Sequence, residues 1–253
     1  MKHIYQIIIG IFVLSLFNNC SKDAASNGLS NSNGTGGSTA RFTISGNHLY
    51  VVDNMTLKAF NISNPQSPSF KSQTNVGLNI ETIFPYNDKL FIGSSSSMYI
   101  YSLADPDHPT QVAKADYIIR MACDPVVAKD NVAYATLRST SSCGGGFGQS
   151  ALVVYNISNI AQPSLETTVN LNSPYGLGMK DNALYVCEAQ GGLKVFNITN
   201  KFDPVQAGNI NNETFYDVIP YGNTLIAQIA GGLALYDIGT NPLQPTFISK
   251  ITE

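Results

Sequence analysis

Glu81, Asp124, Tyr175 and Tyr216 stand seven residues ahead of four tight-turn signals, and Ala40 holds the matching place ahead of a fifth. The adjacent positions include Arg41 and Asp217, and Arg138 precedes a Gly-rich stretch, Gly144-Gly145-Gly146-Phe147-Gly148. Carboxylates and tyrosines gathered with arginine could hold a cation or a small polar ligand. Glu81 paired with Asp124 or Asp217 could also act as general acid and base on a glycan or peptide. Two plainer readings stay open: a solvated mouth, or Arg–carboxylate pairs that hold the scaffold in register. Other chemistry lacks its residues. Outside the N-terminal segment there are only His48 and His108, which read as solvated turn and corner residues, so no His-rich metal site is expected. There is no G-x-S-x-G elbow, no G-x-x-x-x-G-K loop and no Trp, and the Gly-rich stretch lacks a strand-to-helix context. No cofactor is expected. Net charge is −3 with no Lys/Arg block, which argues against nucleic acid.

What must position these residues is a unit used five times. Leu57-Lys58-Ala59-Phe60-Asn61-Ile62-Ser63-Asn64-Pro65 returns at Met98, Leu152, Leu193 and Leu233. Each copy follows a tight turn: Gly46-Asn47, Asn87-Asp88, Asp130-Asn131, Asp181-Asn182 and Gly222-Asn223. Asn, Asp and Gly tolerate the positive φ that such hairpins require. Each unit reads as strand, turn, strand, turn, the repeated strand, a Pro-bearing corner and a weaker fourth strand. The second residues of the turns are spaced 41, 43, 51 and 41 apart, so the third unit carries an insertion of about ten residues over Ser139 to Gln149. Four antiparallel strands at this period predict an all-β fold, a five-bladed β-propeller of four-stranded antiparallel blades. Blade limits fall at about 40–78, 79–119, 120–172, 173–212 and 213–253. Both end blades carry all four of their own strands, so closure is expected by side-chain packing alone. The Asn-Ile-Ser and Asn-Ile-Thr triplets at Asn61, Asn156 and Asn197 read as corner grammar, not as glycosylation sites.

Leu152-Val153-Val154-Tyr155-Asn156 and Leu193-Lys194-Val195-Phe196-Asn197 are similar to the LVIVD repeat of bacterial surface and secreted propellers, and the resemblance runs from about Phe42 to Glu253. Blade two departs from it at Ser94–Ser97 and at Ser102-Leu103-Ala104. The resemblance implies a fold and an envelope location, not a reaction.

Residues 1–19 resemble a lipoprotein signal peptide: Lys2, an apolar run from Ile4 to Phe17, then Asn18-Asn19-Cys20. Asn19 departs from the usual small residue. The resemblance makes Cys20 the lipidated residue, and Ser21 in place of Asp favours the outer membrane. Residues 20–39 form a Ser/Gly/Asn-rich tether. In an oxidising compartment Cys123 and Cys143 fall on one face of blade three, and a bridge there would staple the insertion. Such a loop of about 20 residues is worth roughly 3 kcal/mol. Cys123–Cys187 across two blades, or three reduced thiols, are the alternatives; otherwise Cys187 is a buried thiol.

The expectation is a non-catalytic, lipid-anchored monomer in the bacterial outer membrane. It would present a face with Arg41, Glu81, Asp124, Arg138, Tyr175, Tyr216 and Asp217 to an envelope protein, a glycan or a small polar ligand. The alternative is a glycan- or peptide-active hydrolase or lyase using funnel carboxylates.

Overall fold

The computed structural model describes residues 37–119, 125–139 and 149–252. They form five four-stranded antiparallel sheets, each made of strands consecutive in sequence. Blade 1 holds β1 (Phe42–Ser45), β2 (His48–Val52), β3 (Thr56–Asn61) and β4 (Ser69–Asn75). Blade 2 holds β5 (Ile80–Tyr86), β6 (Lys89–Ser94), β7 (Ser97–Ser102) and β8 (Thr110–Asp116). Blade 3 holds β9 (Val126–Lys129), β10 (Val132–Leu137), β11 (Ser150–Asn156) and β12 (Ser164–Leu171). Blade 4 holds β13 (Leu177–Lys180), β14 (Ala183–Cys187), β15 (Leu193–Asn197) and β16 (Val205–Ile210). Blade 5 holds β17 (Phe215–Tyr221), β18 (Thr224–Ile229), β19 (Gly232–Asp237) and β20 (Thr246–Thr252). The first strands β1, β5, β9, β13 and β17 adjoin in that order around the axis. This is the five-bladed propeller that the repeat predicts. The insertion over 140–148, and with it Cys143, lies outside the described residues, as do Cys123 and Cys20.

The repeat's polar letters make the turns. Gly46, Asn87, Asp130, Asp181 and Gly222 all take positive φ at the first hairpin. At the end of each third strand a side chain accepts the backbone N–H two residues on: Asn61 from Ser63, Ser102 from Ala104, Asn156 from Ser158, Asn197 from Thr199 and Asp237 from Gly239. Each third strand also shifts register against its fourth at one place, as between Ala59 and Phe60 or between Val195 and Phe196. Such a shift bends the strand and increases its twist.

The repeat's apolar letters make the interfaces. Successive side chains of a strand point to opposite faces, and an inner blade is covered on both. Tyr50, Leu57 and Ala59 of blade 1 pack with Leu90, Tyr99 and Tyr101 of blade 2. Phe91, Met98 and Ile100 meet Ala133, Val153 and Tyr155 of blade 3. Tyr134, Leu152 and Val154 meet Leu184 and Phe196 of blade 4. Tyr185, Leu193 and Val195 meet Leu225, Ala234 and Tyr236 of blade 5. Three second-strand tyrosines also donate to the next blade's corner: Tyr50 to Pro106 O at 2.9 Å, Tyr134 to Lys201 O at 2.7 Å and Tyr185 to Pro242 O at 2.7 Å.

The described residues show no apolar packing of blade 5 on blade 1 of the kind expected. Among the described residues four apolar cores join the five blades, and none joins the two ends. Blade 5's outer face presents Ile219, Ile226, Leu233 and Ile251, with Leu233 at 38 % and Ile251 at 59 % exposure. Blade 1's outer face presents Phe42, Ile44, Leu49 and Phe60, with Phe42 at 61 % exposure. A cavity of about 500 Å³ lies against blade 5, lined by Asp217, Ile219, Ile226, Gln228, Ile229 and Leu233 among others. Among the described residues Ser38 and Thr39, just ahead of blade 1, hydrogen-bond to Asp217 of blade 5. Their composition assigns them to the tether, yet Ser38 is buried.

Candidate functional site

In every blade the first strand begins, the second ends, the third begins and the fourth ends on one face, so Arg138, Tyr175 and Tyr216 share a mouth. The positions counted from the turns are irregular there. The register shifts at Glu81, between the pairs Ile80–Ser94 and Thr82–Gly93, and at Tyr216, between Phe215–Ile229 and Asp217–Gln228. In blade 4, Cys187 bonds to both Tyr175 and Gly176. An extra residue at a strand's edge re-aims its side chain, which brings Tyr175 and Tyr216 together at 5.4 Å between ring centroids, edge to face. Gly176 N donates to Tyr216 O at 2.9 Å. A Cβ on Gly176 would lie 2.8 Å from Asp217 Cα, so only glycine permits this approach.

Arg138 follows β10 and turns toward blade 4. Its Cζ lies 3.8 Å from the Tyr175 ring centroid, a cation–π contact. Thr136 Oγ1 fixes the backbone beneath by donating to Tyr175 O at 2.6 Å. Arg138 Nε is buried without an acceptor. No ion pair among the described residues involves Arg138. Beside it, Ser139, Gln149, Ser150, Asn170, Leu171 and Asn172, none of them charged, are the described residues that line a cavity of about 350 Å³.

The other expected residues divide. Asp217 is turned into the protein: it accepts from Ser38 Oγ at 3.2 Å, from Thr39 Oγ1 at 2.6 Å and from the Val218 N–H at 2.9 Å. Burial raises its carboxyl above the usual range, against the opposing pull of those hydrogen bonds. Ser38 Oγ also accepts from Leu177 N at 2.7 Å, so the strap reaches blades 4 and 5. Arg41 donates to Ile80 O at 2.6 Å, bracing blade 1 on blade 2. Glu81 is half-buried and has partners of its own. Asp124 lies outside the described residues.

Two histidines behave differently from each other. His108 is exposed beside Asp105, but His48 is not solvated: its side chain is 12 % exposed and its Nε2 lies 2.6 Å from Asp107 of the next blade. That contact helps to hold Asp107 below the usual carboxylate range, as does Lys71. Cys187 is buried and its thiol is pushed up by burial. Sequence reasoning missed Glu188, which is buried, accepts from Asn172 N at 2.6 Å and lies 3.6 Å from Lys194. The signal was positional. Glu188 stands where Asp53 and Ser94 stand in blades 1 and 2, and both of those accept turn N–H groups.

The LVIVD repeat family model matches residues 36–76. No curated protein matches the chain. Among solved structures the chain is similar to the computationally designed protein Ika8, with TM-score 0.58 and 11 % identity over 83 % of this chain and 60 % of that one. It is also similar to the periplasmic gluconolactonase PpgL of Pseudomonas aeruginosa, with TM-score 0.64 and 12 % identity over 82 % and 68 % of the two chains. BamB of Moraxella catarrhalis gives TM-score 0.54 and 13 % identity over 83 % and 60 %. The chain thus spans about three-fifths of the designed protein's length. At such identities the likeness speaks for the fold.

Proposed function

We propose, from the premise that this is an LVIVD-repeat β-propeller, that it is a non-catalytic lipoprotein of the bacterial outer membrane whose mouth face binds an envelope partner. The observation that carries the reading is Arg138, stacked on Tyr175 with Tyr216 beside it, its Nε unpaired and no carboxylate of the described residues opposite it. A scaffold arginine is ordinarily satisfied by a carboxylate or carbonyl. This one is held in place by an aromatic face, and its Nε has no acceptor among the described residues. Capture from solubilised envelope tests it. Wild type should retain partners that an Arg138→Gln/Tyr216→Ala variant of equal thermal stability loses. Identical partner sets would refute the reading. For the anchor, mass spectrometry of the mature N-terminus should find lipid on Cys20, and an unmodified start elsewhere would remove it.

A hydrolase or lyase keeps one observation in its favour. Asp217 has a raised pKa and lines the larger cavity, a combination common at catalytic acids. Against it, both carboxylate oxygens are engaged by the strap. Turnover of envelope glycans or peptides that disappears in Asp217→Asn would establish this second reading.

A further inference from the structure

The exposed apolar side chains are not spread evenly over the blades. Among the described residues fourteen large hydrophobics are exposed, and four of them belong to blade 1 and five to blade 5. Part of this is the repeat's own spelling. Leu233 of blade 5 stands where Leu193 of blade 4 is buried, and Phe42 of blade 1 stands where Leu177 of blade 4 is buried, so each end carries half of an interface that the inner blades complete. The rim is different. One residue of each fourth strand pairs with the aromatic residue near the end of the third: Phe70 with Phe60, Gln111 with Tyr101, Leu165 with Tyr155, Gln206 with Phe196 and Phe247 with Tyr236. Blades 2 and 4 are built with glutamine there, so the blade itself needs no ring at that position. Blades 1 and 5 both place phenylalanine there, and each is 57 % exposed.

These two blades are also where the chain enters the fold. Ser38 and Thr39 donate to Asp217 of blade 5, and Ala40 O accepts from Ile83 N just before β1 begins, so residues 38–41 run from one end of the row to the other. Cys20 lies seventeen residues before Gly37, which is at most about 60 Å of chain. A lipid on Cys20 would hold blades 1 and 5 within that distance of a bilayer. Exposed phenylalanines among aliphatic neighbours suit the boundary between headgroups and acyl chains, where apolar side chains bury to a depth of about 5–10 Å. A fluid phase takes up both rings without matching the shape of two blades whose end faces share no apolar core among the described residues. We propose that blades 1 and 5 dock on the lipid bilayer, with Phe70 and Phe247 at the acyl boundary. The proposal rests on the Cys20 anchor of the reading above and goes beyond it by assigning the side of the propeller that meets the membrane. Blade 3, at the middle of the row, then points away from the lipid.

The chain contains no Trp, so a single introduced Trp reports its own surroundings. Phe70→Trp, Phe247→Trp and Leu165→Trp place it at one rim position in blades 1, 5 and 3. Trp itself favours membrane interfaces, and Leu165→Trp controls for that. Each protein, purified from membranes with its own N-terminus, is reconstituted in phosphatidylethanolamine–phosphatidylglycerol vesicles whose acyl chains carry bromine. Bromine should quench Phe70→Trp and Phe247→Trp by about half or more and leave Leu165→Trp almost unchanged. Equal quenching of all three, or none in blades 1 and 5, would overturn the proposal. So would protection of the blade 1 and blade 5 reporters from acrylamide before any vesicle is added, since something other than lipid would then cover them. If mass spectrometry finds Cys20 unmodified, the anchor reading falls, and the same vesicles are titrated onto the protein. Quenching confined to Phe70→Trp and Phe247→Trp would then uphold the docking, and its absence would end it. Lipid on Cys20 without that quenching leaves the anchor standing and removes the docking.

Discussion

Leu193 and Leu233 occupy the same place in the repeated strand of blades 4 and 5, and both point toward the following blade. Leu193 meets blade 5 and is fully buried, whereas Leu233 is 38 % exposed on a face that no apolar core of the described residues covers. Truncation of each to alanine therefore compares one residue at one repeat position, with and without a neighbour. Leu193→Ala loses the transfer free energy of a buried side chain and leaves a cavity between two sheets, which costs about 3–4 kcal/mol. Leu233→Ala loses about three-fifths of a transfer term of some 2 kcal/mol and leaves no enclosed cavity, so about 1 kcal/mol is expected. At about 2–4 °C per kcal/mol for a domain of this size, Tm should fall by roughly 6–16 °C and 2–4 °C respectively. Differential scanning calorimetry at one scan rate reads both. Equal shifts would refute the reasoning, because blade 5's outer face would then be covered in solution.

Tyr185→Phe removes the donor to Pro242 O and should cost about 1 kcal/mol, read by urea unfolding; no change in midpoint would deny the bond a role. Tyr50, Tyr134 and Tyr185 have pKa values raised by burial. Their stabilisation is complete below the unfolded value of about 10 and is lost as pH rises through the folded values, so stability should fall above about pH 10. Asp217 is likewise raised, so its contribution is complete below about pH 4 and lost as pH rises through the folded value. Asp217→Asn should therefore gain on wild type between pH 4 and pH 7 in thermal melts, and a constant difference would contradict the sign. Cys187 should resist thiol reagents until the protein opens, and rapid labelling of its peptide in the native state, mapped by mass spectrometry, would contradict its burial.

Much of the fold was legible because the repeat writes local and tertiary information in the same letters. Asn156 and Asn197 announce their corners through their own side-chain bonds, and Leu152-Val153-Val154 announces two buried faces by having no polar alternate. Arg138, Tyr175 and Tyr216 could be placed on one face by counting. The open ends could not. Leu233 and Leu193 are identical in type and position, and nothing in the repeat distinguishes the one that is 38 % exposed from the one that is fully buried. Asp217 was misleading for a related reason. Its partners Ser38 and Thr39 lie in a stretch whose composition reads as tether, and nothing local marks them as the residues that come back to the axis. Glu188 was hidden by its position in a turn, where a carboxylate is ordinarily solvated.

The strap gives the molecule a direction under load. Force applied at Gly37 enters Ser38 and Thr39. From there it passes to Asp217 and to the Leu177 amide, on blades 5 and 4, before it can peel β1 from β2. Tension applied at one end of the row is thus delivered to the opposite end. The hydrogen bonds of Ser38 and Thr39 to Asp217 would act as a mechanical fuse, and a pull applied at Gly37 would rupture them before β1 leaves β2.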